Sequence, residues 1–114
     1  MRKRVVILAS GAGSLAQAII DATDLEIQIV AVVSDNPNAQ VLERAKAAQI
    51  NTAVIEVGAD RAAWNKKLFD QVGQYQPDLV VSAGFMRILA AEFVNTLPTI
   101  NSHPALLPDF PGAH

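Results

Sequence analysis

The sequence predicts an α/β protein in which a parallel sheet carries helices on both faces. Three observations lead there. Short runs rich in Val and Ile alternate along the chain with stretches whose apolar residues recur at helical spacing. The runs are continuously apolar, as strands covered on both faces must be. Turn-forming residues sit at the joints between the two kinds of segment.

Taken in order, Arg4 to Ala9 is the first strand. With Arg2, Lys3 and Arg4 in front it imitates a secretory signal, but Val5 to Ala9 is shorter than the ~7 to 15 apolar residues such a signal needs. A glycine-containing turn leads into a helix over Leu15 to Ala22, and Ile27 to Ser34 is the second strand. Asp35-Asn36-Pro37-Asn38 leaves that strand as a turn. Gln40 to Ala48 is helical, with Val41, Leu42, Ala45 and Ala48 on one side. Thr52 to Ile55 reads as a strand and Arg61 to Tyr75 as a helix, which Gln76-Pro77-Asp78 stops. Leu79 to Ala83, a short helix over Ala90 to Val94, and a strand over Thr99 to Ser102 complete the series. Strand-helix-strand repetition implies a parallel sheet with right-handed crossovers. No linker, repeat or low-complexity tract divides the chain, so residues 1–114 are expected to be a single α/β domain.

Composition narrows the function classes. A chain 51% apolar and 18% charged, with a net charge of −2, describes a soluble domain. Without cysteine there is no disulfide framework and no thiolate metal site, and two histidines eleven residues apart make a poor ligand set, so no metal is expected. No stretch approaches the ~20 apolar residues of a membrane span. The acidic balance, with one Trp and one Tyr, argues against a nucleic-acid surface. The expectation is a cytoplasmic protein acting on small, mildly anionic molecules.

Open sheets of this kind bind ligands at the carboxyl ends of their strands. After the first strand comes Ser10-Gly-Ala-Gly-Ser-Leu-Ala-Gln17, whose glycines permit a tight turn and whose following helix presents free amides to an anion. The same loop is equally a bare turn. It also satisfies G-x-G-x-x-A through Gly11, Gly13 and Ala16, with Asp35 where a dinucleotide domain places its ribose-binding carboxylate. Asp35 reads as well as a turn residue that accepts amide hydrogens two positions on. After the fourth strand, Ala83-Gly-Phe-Met-Arg-Ile-Leu89 sets large apolar side chains around one cation, Arg87, which suits a flat heterocycle with an anionic tail. These residues are also readable as core, with Arg87 on the surface. Arg61, at the head of the third helix, is open in the same way.

In Thr99-Ile100-Asn101-Ser102-His103, alternation sends Asn101 and His103 to one side and Ser102 to the other. Pro104, Pro108 and Pro111 stiffen the segment that follows. An amide and an imidazole converging at a strand end suit acyl chemistry, the amide donating to a developing oxyanion and the imidazole supplying a proton near neutral pH. A surface histidine after a capped strand is the plain alternative.

SGAGSLAQAIIDA, DLVVSAGFMRIL and NSHPALLPDFPGAH together resemble the phosphoribosylglycinamide formyltransferases, and the resemblance runs the whole length of the chain. It is most specific at the end. Related formyltransferases and the formyltetrahydrofolate hydrolases keep Asn-x-His and Leu-Pro, whereas His103-Pro104 followed by Pro111-Gly112-x-His114 looks like the glycinamide ribonucleotide enzyme. The resemblance implies a Rossmann-like formyltransferase fold. It implies formyl transfer from 10-formyltetrahydrofolate, the co-substrate, to the amine of glycinamide ribonucleotide in purine biosynthesis. Gly11, Ala12, Gly13, Ser14 and Leu15 would hold the ribonucleotide phosphate, and Leu15 stands where the family usually has Asn. Arg61, Met86, Arg87, Ile88, Leu89 and Val94 would bind the folate, and Asn101 and His103 would be catalytic. The family's third catalytic residue, an aspartate in the following segment, has no counterpart within residues 1–114, so the chain reads as the amino-terminal portion, doubtful as an enzyme by itself. Asp109 does not match that aspartate's motif. Two other readings stay open, a dinucleotide-binding module and a non-catalytic fragment. A homodimer is left open as well.

Overall fold

The computed structural model describes residues 3–22, 26–87 and 89–102. The order is β1 (Lys3–Leu8), α1 (Ser14–Asp21), β2 (Ile27–Ser34), α2 (Gln40–Ala47), β3 (Asn51–Val54), α3 (Arg61–Gln74), β4 (Leu79–Ala83), α4 (Ala91–Thr96) and β5 (Thr99–Ser102). The strands form one parallel sheet in the order β3-β2-β1-β4-β5.

Alternation along β1 divides the core in two. Val6 and Leu8, with Val33 and Val80, pack beneath Trp64, Leu68 and Val72 of α3 and Phe93 of α4. Val5 and Ile7, with Val32 and Val81, pack beneath Ala16 of α1 and Val41, Leu42 and Ala45 of α2. Each face of the sheet is therefore closed by its own pair of helices, as a parallel sheet requires. The register of β1 against β2 slips between Val5 and Val6, and on β2 both Val30 and Ala31 pack into the α3/α4 core.

The expectation of strands buried on both faces holds for the middle of the sheet and fails at its edges. Val5 to Ala9, Val30 to Ser34 and Val80 to Ala83 are buried, while Asn51 and Val54 of β3 and Ile100 of β5 are exposed. The cause is position: β3 and β5 are the two edges of the sheet, and an edge strand has a neighbour on one side only.

Local chemistry sets the helix ends. Asp60 caps α3 by accepting from the Ala63 amide at 3.0 Å. Arg4 ties the end of α3 to β1, donating from Nη2 to the Tyr75 carbonyl at 2.6 Å and from Nε to the Gln76 carbonyl at 3.2 Å.

Candidate functional site

The sheet order reverses direction between β1 and β4, which are adjacent while β2 lies on the other side of β1. At such a switch point the loops leaving the two strands diverge and open a crevice at the carboxyl edge. Two of the loops singled out by sequence meet there. The Met86 amide donates to Ser10 Oγ at 2.8 Å, joining the loop after β4 to the loop after β1.

The glycine loop is held from behind by α2. The Gly11 carbonyl accepts from the Val41 amide at 3.0 Å, and the Ala12 carbonyl accepts from Arg44 Nε at 2.6 Å. In a trans peptide the N–H points opposite the C=O, so the amides of Ala12 and Gly13 are turned away from α2. Gly13, at φ +79°, precedes α1, whose first-turn amides have no partner inside the helix, and no side chain among the described residues caps it. Gly11, Ala12 and Ser14 are exposed. This is a concave set of outward amides at a helix start, suited to an anion. Leu15 is half-buried and its side chain packs on the α1/α2 core, so only its backbone can face an anion.

A hollow of about 470 Å³ opens beside α4. Met86, Arg87, Leu89, Val94 and Asn101 all line it, so four of the folate candidates and one catalytic candidate come together. Asn101 pairs with Ser82 across β4 and β5 and faces the hollow with Thr99, two positions back on the same side of the strand. Phe85 forms the inner wall. It is buried and stacked on Trp64, with ring centroids 6.2 Å apart, and Trp64 is fixed by donating from Nε1 to the Ile55 carbonyl at 2.8 Å. Ile88 and His103 lie outside the described residues, as do Asp109 and His114.

Arg61 is exposed and is not among the residues lining this hollow; its guanidinium carbon lies 4.9 Å from the centroid of the Trp64 ring. Both sequence readings of Asp35 are corrected. The turn amides of Asn36 and Asn38 go to Ser34 Oγ and Asn36 Oδ1. The Asp35 side chain is 3% exposed and its Oδ2 accepts from Arg87 Nε at 2.7 Å, so its carboxylate is already engaged by a cation where a ribose diol would need it. The dinucleotide reading loses its carboxylate.

Sequence reasoning passed over Ser10, Arg44, Ser82 and Thr99. Thr99 was visible in principle, because alternation puts it on the same side of β5 as Asn101, whereas Ser82 reaches that face through the β4/β5 register. Ser10 and Arg44 carried no local signal, since their roles depend on partners 76 and 32 residues away. Among the described residues no group of three or more His, Asp or Glu could hold a metal, and no helix is long and apolar enough to cross a membrane.

Residues 3–114 match the formyl transferase family. The chain is 41% identical to the phosphoribosylglycinamide formyltransferase of Mycobacterium tuberculosis, a match covering 97% of this chain and 54% of that protein. It is 43% identical to the enzyme of the same name from Escherichia coli, over 96% of this chain and 55% of that one. The crystal structure of phosphoribosylglycinamide formyltransferase from Brucella melitensis superposes with a TM-score of 0.88 at 38% identity, covering 100% of this chain and 63% of that one. The chain thus spans about half the length of the curated relatives it matches.

Proposed function

We propose, from the premise that this chain belongs to the formyl transferase family, that it carries the amino-terminal part of a phosphoribosylglycinamide formyltransferase. The reaction is transfer of a formyl group from 10-formyltetrahydrofolate to the amine of glycinamide ribonucleotide. One observation carries the reading: the hollow that gathers Met86, Arg87, Leu89 and Val94 also takes in Asn101, so a heterocycle pocket and an oxyanion donor share one space.

The ribonucleotide phosphate sits on the outward amides of the loop at residues 11–14, and the folate ring lies against Phe85, Leu89 and Val94. The substrate amine attacks the formyl carbon. A C–N bond forms, and the carbonyl electron pair moves onto oxygen. Asn101 donates a hydrogen bond to that oxyanion, and protonated His103 shares its charge. Collapse of the tetrahedral species expels the folate nitrogen, and the proton lost by the amine ends there. Donors aimed at such an oxygen each contribute about 2.7 to 4 kcal/mol to the barrier.

The test is a formyl-transfer assay on the full-length protein. Asn101→Ala is expected to lower kcat about 10²- to 10³-fold while leaving ribonucleotide affinity within a few-fold. A wild-type protein that transfers no formyl group, or an Asn101→Ala protein with near-normal kcat, would overturn the reading.

A further inference from the structure

Arg87 stands between two hollows. Together with Met86 it lines both the 470 Å³ hollow that contains Asn101 and a second one of about 420 Å³, bounded by Ser10, Asp35, Asn36, Pro37, Glu56 and Val57. Its side chain is 41% exposed, and a long exposed arginine is ordinarily free to sample many rotamers. Here it is not. Nε donates to Asp35 Oδ2 at 2.7 Å, and that carboxylate belongs to a 3% exposed side chain at the end of β2. Asp35 Oδ1 is buried with no hydrogen-bond partner among the described residues, so the ion pair with Arg87 is what offsets the acid's burial. A surface ion pair would need no buried acid. Bonding through Nε also leaves the two terminal amino groups of Arg87 without a protein partner among the described residues, and these are the groups that grip a planar anion in two-point fashion.

We propose that Asp35 is a positioning residue: it locks Arg87 by the inner nitrogen so that the outer fork is held ready for an anionic group of the formyl donor. This rests on the functional reading above and adds to it a reason for a buried acid beside the pocket. The acid touches neither substrate. It acts through Arg87, by reducing the rotamer freedom that would otherwise be lost on binding.

The experiment uses three variants of the full-length protein, Asp35→Ala, Asp35→Asn and Arg87→Ala, with the double variant Asp35→Ala/Arg87→Ala. Asp35→Ala is expected to raise KM for 10-formyltetrahydrofolate roughly tenfold with kcat and ribonucleotide affinity within about twofold. Asp35→Asn, which keeps an oxygen acceptor, should recover most of that loss. The double variant should be no worse than Arg87→Ala alone, because both changes remove the same contact. The Arg87 Nε–H resonance should exchange slowly with solvent in the wild type and quickly in Asp35→Ala. Unchanged folate KM in a folded Asp35→Ala protein whose Arg87 resonance has become mobile would overturn the proposal, since the pair would then be purely structural. So would additive effects in the double variant, or an Arg87 resonance that stays protected in Asp35→Ala. If Asp35→Ala does not fold, Asp35→Asn decides, because its residual rise in folate KM must come with faster exchange of the Arg87 Nε–H, and a mobile Arg87 with wild-type KM would overturn the proposal. A wild type that binds no formyl folate removes the functional reading and this inference together, whereas the outcomes above remove this inference alone.

Discussion

Single residues in the glycine loop have separable duties. Gly13 is at φ +79°, a conformation that costs a side-chain-bearing residue about 1 to 2 kcal/mol. A Cβ there would also meet the Cβ of Val41 at 2.6 Å. Gly13 therefore holds α1 close to α2 as well as shaping the loop, and its replacement perturbs the fold before it perturbs ligand. At Gly11 a Cβ would meet nothing within 4 Å among the described residues, and its φ is not positive, so it reports on the ligand side alone. Gly13→Val is expected to lower stability by several kcal/mol, on the scale of strain plus overpacking. Gly11→Val should leave the melting temperature nearly unchanged and weaken ribonucleotide binding about tenfold or more. Calorimetry of both variants, thermal and by titration, checks the contrast; equal thermal losses would show that the two glycines are not separable.

Among the elements, α2 ends in a way its sequence does not advertise. Its C-cap is Ala48, and the next residue, Gln49, takes φ 61°. The Gln49 amide donates to the Lys46 carbonyl at 3.0 Å and the Ile50 amide to Ala45 at 2.9 Å. That is the Schellman pattern, which glycine usually terminates because it alone enters the left-handed region without steric cost. Gln49 is exposed, so removing its side chain sacrifices no packing. Gln49→Gly is expected to raise unfolding stability by about 1 kcal/mol, measured by urea denaturation, with activity unaffected because, among the described residues, the hydrogen bonds from α2 to the glycine loop come from Val41 and Arg44. A destabilised variant would mean that the unfolded chain's gain in freedom outweighs the relieved strain.

For the molecule as a whole, β5 is one of the two exposed edges of the sheet. Ile100 pairs with Val81 and is 52% exposed, on the face that α1 and α2 close elsewhere. Among the described residues no strand pairs the outer side of β5, and an apolar edge of that kind is a template for association. A polypeptide of residues 1–114 is therefore expected to form dimers or larger species, and Ile100→Lys to shift it toward monomer by at least about tenfold in dissociation constant, on the gatekeeper principle. Light scattering over a concentration series measures this. An Ile100→Lys chain that associates as strongly as its parent would place the contact elsewhere.

Periodicity alone determined the five strands and four helices to within two residues at nearly every boundary, because buried parallel strands and amphipathic helices each leave a pattern inside a short window. The resemblance named Met86, Arg87, Leu89 and Val94 as folate contacts and Asn101 as catalytic, and the structure sets these five candidates around one hollow. Three things were decided only by tertiary structure. Asp35 looked like a ribose acceptor or a turn residue, and became the anchor of an arginine 52 residues away. Arg44, on a helix with no apparent part in the site, orients the glycine loop through the Ala12 carbonyl. The exposure of β3 and β5 depended on which strands fell at the edge, and hence on the order β3-β2-β1-β4-β5. The reason is common to all three: short-range patterns record how a residue meets its neighbours in sequence, whereas a long-range partner is chosen by topology, and topology brings together segments between which no local pattern runs.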